Sequence, residues 1–205
     1  MPENKNHWYD GWFYDSFIAP NQGKLFKKIK DLIEPGSKVI DVGCGTGSLS
    51  FYIAEKCQNV LGIDLSKRNI NRANLILKRN PYSKISFRHK SIDEIASKIN
   101  FHFDYAVLTY VIHEVAESER ANLLNEIFLI VDKIIIGDYF VPKEFGFWGL
   151  LNEAVEFAAG REHYRNYKSF VSNGGIIGLA AKAGFKVTTE IKNQPSTSHL
   201  VILIK

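Results

Sequence analysis

The chain has 205 residues, 45% of them hydrophobic and 23% charged, with a formal net charge of +4 at pH 7. This size and balance predict one soluble globular domain, and they exclude a strongly basic polymer-binding protein. No apolar run has the roughly eighteen residues of a membrane span, and the first residues lack the apolar core of a signal peptide.

The chain has only two cysteines, Cys44 and Cys57. A predicted helix separates them, so we expect their side chains to be roughly 15–20 Å apart at about 1.5 Å per helical residue. That distance is too long for a disulfide bond. Reduced cysteines indicate a cytoplasmic location.

Residues 1–34 are predicted to form an N-terminal helical segment that could help to close a site. Its apolar residues fall at helical spacing, namely Leu25, Phe26, Ile29, Leu32 and Ile33. Its basic residues are Lys24, Lys27, Lys28 and Lys30. This basic face is either a solvated helix surface or a docking surface for an anionic membrane or an acidic partner.

Strand and helix signals alternate over residues 38–138. The predicted strands are 38–40, 60–63, 84–88, 104–108 and 134–136, and the predicted helices are 48–55, 66–78 and 117–131. This alternation predicts βαβ units and a parallel sheet. A helix over 178–183 and strands over 185–190 and 199–204 follow, and the short turn between these strands predicts an antiparallel hairpin. The expected fold is therefore α/β, a doubly wound and mostly parallel seven-stranded sheet that ends in an antiparallel hairpin.

A glycine-rich loop, Asp41-Val42-Gly43-Cys44-Gly45-Thr46-Gly47, follows the first predicted strand. Its alternating glycines allow a tight turn and let backbone N–H groups approach a ligand. The next helix begins there and presents its positive end. Asp64 closes the second strand, 21 residues after Gly43, at the spacing where an acidic side chain receives ribose hydroxyls.

The details of this loop discriminate between nucleotide ligands. A dinucleotide fingerprint needs glycine at position 48, where this chain has Ser48, and a P-loop lysine is missing. Asp41 is poorly placed for a pyrophosphate, but it could accept a hydrogen bond from the ammonium of a bound amino acid. The loop therefore favours S-adenosylmethionine, which has an amino-acid end and a nucleoside end. A tight turn without any ligand is the alternative.

The segment 39–47, Asp64 and the run 103–108 resemble the motifs of the class I S-adenosylmethionine-dependent methyltransferases. The segments 14–20 and 160–167 resemble the quinone-biosynthesis and phospholipid methyltransferases of that superfamily. The resemblance implies a Rossmann-like fold and a single methyltransferase domain over 1–205. Within it we expect a cofactor-binding core at 38–138, a lid insertion at 139–178, and a C-terminal helix and hairpin at 179–205.

The resemblance also implies which residues contact S-adenosylmethionine. Asp64 would hold the ribose, Leu65 would touch the adenine, and Ile92 would pack on the adenine ring. Ser91 stands where the family usually has an acid, so this contact departs from the family pattern. The expected cofactor-binding residues are Asp41, Gly43, Cys44, Gly45, Gly47, Asp64, Leu65, Ser91, Ile92, Thr109 and Tyr110.

Methyl transfer requires a base only if the acceptor atom is protonated at neutral pH. His113 follows the fourth strand at the carboxyl edge of the sheet and is the candidate base. Alternatively, it caps the next helix or packs beside the cofactor. Tyr164 and His163 are the rival catalytic candidates, and no metal site is expected.

The expected substrate is a small molecule, in part apolar, because the segment after the fifth strand is rich in aromatic residues such as Phe145, Phe147 and Trp148. The alternatives are RNA or protein methylation and a non-catalytic cofactor-binding regulator. Against nucleobase amino groups, Thr109-Tyr110-Val111-Ile112 stands where an Asn-Pro-Pro-Tyr-like tetrad would be needed. We therefore expect no nucleic-acid partner, whereas the acceptor atom and the oligomeric state stay open.

Overall fold

The computed structural model describes residues 19–97, 102–142, 156–157, 160–193 and 197–205. The strands are β1 (Lys38–Val42), β2 (Asn59–Asp64), β3 (Ile85–His89), β4 (Phe103–Thr109), β5 (Val131–Tyr139), β6 (Lys186–Lys192) and β7 (Ser198–Ile204). The helices are α1 (Ala19–Leu32), α2 (Ser48–Ile53), α3 (Lys67–Arg79), α4 (Ile92–Ala96), α5 (Glu117–Ile127), α6 (Arg161–Ser172) and α7 (Gly175–Ala183).

The seven strands form one sheet in the order β3-β2-β1-β4-β5-β7-β6. The five strands from β3 to β5 pair in parallel, whereas β7 is antiparallel to both β5 and β6. The predicted doubly wound sheet with a terminal antiparallel hairpin is therefore confirmed. The strand order reverses between β1 and β4, and in such sheets ligands bind beyond the carboxyl ends of the strands at this reversal.

Both faces of the sheet are covered, which explains the continuous apolar run in β5. Ile134, Ile135 and Ile136 are all fully buried. Ile134 and Ile136 belong to the core between the sheet and one helix layer, and Ile135 belongs to the core on the opposite face. Strands that are buried on both faces lose the alternation of apolar and polar residues, as this one does.

The largest error in the predicted elements is at the end of the helix that the sequence placed over 117–131. In the structure α5 ends at Ile127, and Phe128 is its C-cap. Val131 instead opens β5, where it pairs with Phe103. The apolar spacing continues across the helix end because residues of both elements are buried in the same core.

The N-terminal helix packs its predicted apolar stripe into the core, since Leu25, Ile29 and Ile33 are fully or almost fully buried. Two of its lysines, Lys28 and Lys30, make contacts within the chain, and Lys30 forms an ion pair with Glu55. Lys28 donates to the carbonyl oxygen of Lys192, at 2.9 Å, and to Asn193. These contacts reduce the positive charge that the predicted docking surface could present to a partner.

Both cysteines are free, as predicted, and both are buried. Among the described helices, none combines the length and the apolarity that crossing a bilayer requires. The predicted N-terminal lid residues before position 19 lie outside the described residues, as do Phe145, Phe147 and Trp148.

Candidate active site

The glycine loop, residues 43–47, is fixed to the end of β2. The backbone N–H groups of Gly43 and Cys44 both donate to the carbonyl oxygen of Ile63, at 2.8 and 3.0 Å. The loop glycines have φ values between 56° and 87°, a region that disfavours other residues. A Cβ atom at Gly47 would lie 2.4 Å from the ring of Phe87, whereas one at Gly45 would meet nothing within 4 Å. The loop thus presents open space at Gly45.

Asp64 joins the end of β2 to this loop. Its Oδ2 accepts a hydrogen bond from the backbone N–H of Gly45 at 2.8 Å, and its Oδ1 accepts one from Ser66 at 2.6 Å. Each carboxylate oxygen can accept more than one bond. Asp64 is therefore held in place by backbone donors and keeps acceptor capacity at the loop.

Asp41 is completely buried at the end of β1. Its Oδ2 accepts a hydrogen bond from Ser50 at 2.6 Å, whereas its Oδ1 has no hydrogen-bond partner among the described residues. Burial raises the pKa of this carboxyl to about 7, against the lowering effect of the Ser50 hydroxyl, and the charge of Asp64 raises it further. An unsatisfied buried carboxylate oxygen suits an incoming donor.

The remaining residues expected around the nucleoside lie on neighbouring strand ends. The carbonyl oxygen of Leu65 is 3.0 Å from Nε2 of His89. Ser91 caps α4, and Glu94 accepts from its backbone N–H at 3.3 Å. Ile92 is buried in the core. Leu65 follows β2, Ser91 and Ile92 follow β3, and Cys44 is enclosed within the loop, where burial raises its thiol pKa.

The end of β4 lies directly against the glycine loop. A Cβ atom at Gly43 would lie 2.6 Å from a methyl carbon of Val111. Tyr110, one residue beyond Thr109, has a φ of 56°, an uncommon conformation for a non-glycine residue, and such residues cluster at functional sites. The glycine loop and the residues that follow β4 are therefore in contact at this turn.

Beyond this turn, five charged or titratable side chains converge; we call His113, Glu114, Asp138, Glu156 and His163 the charged cluster. Nδ1 of His113 lies 2.7 Å from Oδ1 of Asp138. Nε2 of His113 lies 3.6 Å from Glu156, and Nε2 of His163 lies 2.5 Å from the other oxygen of Glu156. Glu114 is 4.0 Å from both imidazoles.

The charged cluster is enclosed on most sides. The His113 side chain is 3% exposed and that of Glu156 4%, whereas that of Glu114 is 38% exposed and marks the open side. Burial alone would lower the pKa of His113, but the negative charges of Asp138 and Glu156 raise it to about 9. Although the Glu114 side chain is partly exposed, its carboxylate faces the two imidazoles, and desolvation there raises its pKa to about 7, opposed by the positive charges of His113 and His163.

Aromatic rings surround the charged cluster and pack edge to face. The ring of His113 lies 4.8 Å from that of Tyr139 and 5.6 Å from that of His163, measured between centroids. The hydroxyl of Tyr139 donates to Glu156 at 2.6 Å. Tyr167 and Phe170 of α6 complete this packing. The polar groups are therefore held by a rigid apolar frame.

Arg120 of α5 ties α6 to the turn after β4. This buried guanidinium donates to the carbonyl oxygens of Ile112 and Val115, at 3.3 and 3.0 Å, and to that of Asn166 at 2.6 Å. The side-chain amide of Asn166 donates in turn to the carbonyl oxygen of Glu114 at 2.8 Å. These bonds place the first turns of α6 over the charged cluster.

The structure brings His113 and His163 together but keeps Tyr164 at the rim. Tyr164 is partly exposed, its ring packs against Phe157 at 5.5 Å, and Lys168 lies over it. The sequence analysis gave no role to Glu114, Asp138 or Glu156. Only Asp138 had a usable signal, as a carboxylate at the carboxyl end of an otherwise apolar strand.

A family model described as a methyltransferase domain matches residues 33–141, more than half of the chain. Over 117 residues the chain is 28% identical to an O-antigen chain terminator bifunctional methyltransferase/kinase of Escherichia coli, covering 55% of this chain and 16% of that protein. Over 69 residues it is 41% identical to a ubiquinone biosynthesis O-methyltransferase of Dechloromonas aromatica, covering 34% and 29%. The chain spans less than a third of the length of these curated relatives.

Solved structures share the fold over nearly the whole chain. The magnesium protoporphyrin IX methyltransferase of Synechocystis PCC 6803, solved with bound SAH, has a TM-score of 0.67 at 18% identity, covering 96% of this chain and 90% of that one. The N-methyltransferase NodS of Bradyrhizobium japonicum WM9 has a TM-score of 0.65 at 15% identity, covering 96% and 92%. The sequence resemblance to methyltransferases is therefore confirmed, and the chain belongs to the methyltransferase domain family.

Proposed function

We propose that this chain binds S-adenosylmethionine at the glycine loop and transfers its methyl group to a small molecule. The observation that carries the cofactor assignment is Asp41, whose buried Oδ1 has no donor among the described residues. It lies beneath a loop that leaves open space at Gly45. A ligand with an ammonium group and a ribose would give Asp41 a donor and would bring hydroxyl groups to Asp64, so the residues present fit this cofactor.

In this proposal different residues bind different parts of the cofactor. Asp41 receives the amino-acid end, directly or through water, and Asp64 accepts hydrogen bonds from the ribose hydroxyls. Leu65 and Ile92 border the adenine, and Tyr110 separates the cofactor from the acceptor side. When bound, S-adenosylmethionine supplies a methyl group on a sulfonium, which an acceptor atom can take in one in-line displacement.

The acceptor side is proposed to lie where α6 meets the turn after β4. There Phe157 is 68% exposed and packs on the partly exposed Tyr164, so an apolar surface borders the polar cluster. This arrangement supports an acceptor that is in part apolar. Orientation of an acceptor alone is worth roughly 7–11 kcal/mol of an activation barrier.

The catalytic roles expected for His113 and Tyr164 stay predictions, and the structure suggests how they divide. Tyr164 is at the rim, where an acceptor could touch it. His113 is enclosed, with Asp138 on one ring nitrogen and Glu156 facing the other. We therefore propose that Tyr164 contacts the acceptor and that His113 positions its neighbours. A cytoplasmic location also stays a prediction from the sequence.

Calorimetry tests the cofactor assignment. S-adenosylmethionine or S-adenosylhomocysteine should bind at micromolar concentrations, and NAD should bind far more weakly, because the loop lacks the third glycine of a dinucleotide fingerprint. NAD binding that is tighter than S-adenosylmethionine binding would overturn the assignment.

Transfer of tritiated methyl groups to two separate pools tests the acceptor class. Label should appear in an extract of small metabolites and lipids, and it should disappear in Asp64→Ala. Label at a defined position of RNA, again dependent on Asp64, would replace the small-molecule proposal by RNA methylation. Cofactor binding with label in neither pool would instead support a regulator.

A further inference from the structure

We infer that the charged cluster is a binding site for one divalent transition-metal ion of the zinc class. His113, Glu114 and His163 offer ligand atoms that all lie within 4.8 Å of one another. Glu156 faces both imidazoles from the opposite side. The inference goes beyond methyl transfer, and neither the family match nor the fold supplies it.

The distances are close to those of a tetrahedral site. Zinc binds histidine nitrogen and carboxylate oxygen at about 2.0–2.2 Å, so two ligands of one ion lie about 3.3 Å apart. The Nε2 atom of His113 is 3.6 Å from Glu156 and 4.0 Å from Glu114, and the Nε2 atom of His163 is 4.0 Å from Glu114. These separations must shorten by roughly 0.3–0.7 Å, and the 2.5 Å between His163 and Glu156 must lengthen by roughly 0.8 Å, for the four side chains to bind one ion.

A second observation supports a metal over a cluster held by hydrogen bonds alone. The Nδ1 of His113 faces Asp138, which also accepts from the backbone N–H groups of His113 and Tyr139. A carboxylate that can only accept holds a proton on Nδ1, so Nε2, which faces Glu114 and Glu156, is the nitrogen that would bind an ion once the ion displaces its proton. Metal-binding histidines almost always donate their other ring N–H to a carboxylate, a backbone carbonyl or a water molecule.

The oxygen atoms give a third observation. Oε2 of Glu156 is buried and lies 2.5 Å from Nε2 of His163, with which it forms an ion pair. Three carboxylates, those of Glu114, Asp138 and Glu156, surround two imidazoles in a largely dry site. In the metal-free cluster positive imidazoles offset part of this negative charge, and a divalent cation that displaces their protons would take their place.

The ligand types also select the kind of ion. Two imidazoles and two carboxylates suit Zn²⁺ and its transition-metal neighbours, whereas Mg²⁺ prefers an all-oxygen octahedral site. The partly exposed side of Glu114 is the route by which an ion would enter. A bound ion would link α6 to the turn after β4 through His163 and His113, so it would also stabilise the fold.

Zinc titration of the full chain tests the inference. Protein that has been stripped with a chelator is titrated with Zn²⁺ against a chromophoric indicator, and bound metal is counted by mass spectrometry. We expect one Zn²⁺ per chain, a higher melting temperature with Zn²⁺ that the chelator reverses, and no comparable effect of Mg²⁺. Uptake of no Zn²⁺, or equal stabilisation by Mg²⁺, would overturn the inference.

The matched variants are His163→Ala in the cluster and His102→Ala at the surface. His102 is half exposed and lies 2.9 Å from Asp132, so it controls for zinc binding by any histidine–carboxylate pair. Loss of a second-sphere partner typically lowers metal affinity by roughly 10–100-fold, so loss of a ligand should lower it by at least about 100-fold. His102→Ala should bind like the wild type, and equal binding by both variants would contradict the site.

Glu114→Gln covers the case in which His163→Ala does not fold. Its side chain is partly exposed, so the substitution should leave the circular dichroism spectrum unchanged while it weakens zinc binding. Cofactor calorimetry on the same preparations separates the two proposals, because zinc stoichiometry does not depend on S-adenosylmethionine. Unchanged zinc affinity in folded Glu114→Gln would count against the proposed ligand set.

Discussion

The glycine loop and the charged cluster lie at the same edge of the sheet, yet different parts of the chain hold them in place. The loop is fixed by its own backbone N–H groups, which donate to the carbonyl oxygen of Ile63 and to the carboxylate of Asp64 at the end of β2. Side chains fix the charged cluster, and they come from the turn after β4, from β5, from α6 and from the residues before α6. The loop therefore depends on backbone conformation, and the cluster depends on long-range packing.

The largest effect is expected where long-range packing converges, at Arg120. Arg120→Met keeps the length of the side chain but removes the donors to Ile112, Val115 and Asn166. Buried acceptors that lose their partners should lower the free energy of unfolding by about 2–5 kcal/mol. Chemical denaturation measures this change, and cofactor affinity should change little in the folded variant.

The matched control is Arg165→Met on α6, which removes a cation from an exposed position. Exposed substitutions usually change stability by less than about 0.5 kcal/mol. If the two variants were equally stable, Arg120 would not be the connection between α5, α6 and the turn after β4, and the contrast between the two regions would fail.

A paired substitution in the glycine loop tests the other half of the comparison. Gly47→Ala combines a φ of 87° with a Cβ atom 2.4 Å from Phe87, so it should destabilise the protein by about 2–4 kcal/mol. Gly45→Ala has only the strain of its positive φ, about 1–2 kcal/mol, because its Cβ atom meets nothing.

The two variants should rank in the opposite order for cofactor affinity: Gly45→Ala, the less destabilised variant, should lose more affinity than Gly47→Ala. The added methyl group in Gly45→Ala enters the space that we assign to the ligand. The loss in binding free energy should therefore exceed the loss in the free energy of unfolding. Denaturation and calorimetry on both variants measure the two quantities. Undiminished S-adenosylmethionine binding by Gly45→Ala would move the ligand away from this loop.

Local sequence was sufficient to predict the glycine loop because its constraints are local. The alternating glycines, the strand before them and Asp64 all lie within one βαβ unit, whose strand and helix periods are readable from the sequence. In the structure Asp41 is enclosed and the loop is open at Gly45, whereas the cofactor contacts of both residues stay predictions.

The charged cluster could not be predicted in the same way. Nothing in the sequence relates Glu156 to His113, since they meet only after α6 packs on α5 through Arg120 and Asn166. The predicted end of α5 was wrong for a similar reason. Its apolar period continues into β5, and only pairing with β4 shows where the helix stops.

A smaller effect, on binding more than on folding, is expected for Asp64. Asp64→Ala should weaken cofactor binding by about 1.5–3 kcal/mol, roughly ten- to a hundredfold, because charge-assisted hydrogen bonds to the ribose are lost. Asp64→Asn is the conservative comparison, since it keeps one acceptor oxygen, and it should fall between Asp64→Ala and the wild type in calorimetry. Equal affinity in all three proteins would place the ribose elsewhere.

The smallest expected effect is the release of less than one proton on cofactor binding, from Asp41. In the free protein burial raises the pKa of Asp41 to about 7, so near pH 6 the carboxyl is mostly protonated. An ammonium group beside it favours the ionised form and lowers that pKa on binding. Cofactor affinity should therefore rise with pH up to about 7 and then level off, by at most tenfold per pH unit.

Calorimetry at pH 6 in two buffers with different ionisation enthalpies measures this proton directly. The control is Asp41→Asn, whose amide oxygen can still accept from Ser50 but which cannot titrate, so proton release should vanish and affinity should lose this pH dependence. Equal proton release by wild type and Asp41→Asn would assign the proton to another group. The ammonium would then not meet Asp41, and the buried oxygen beneath the loop would need a different partner.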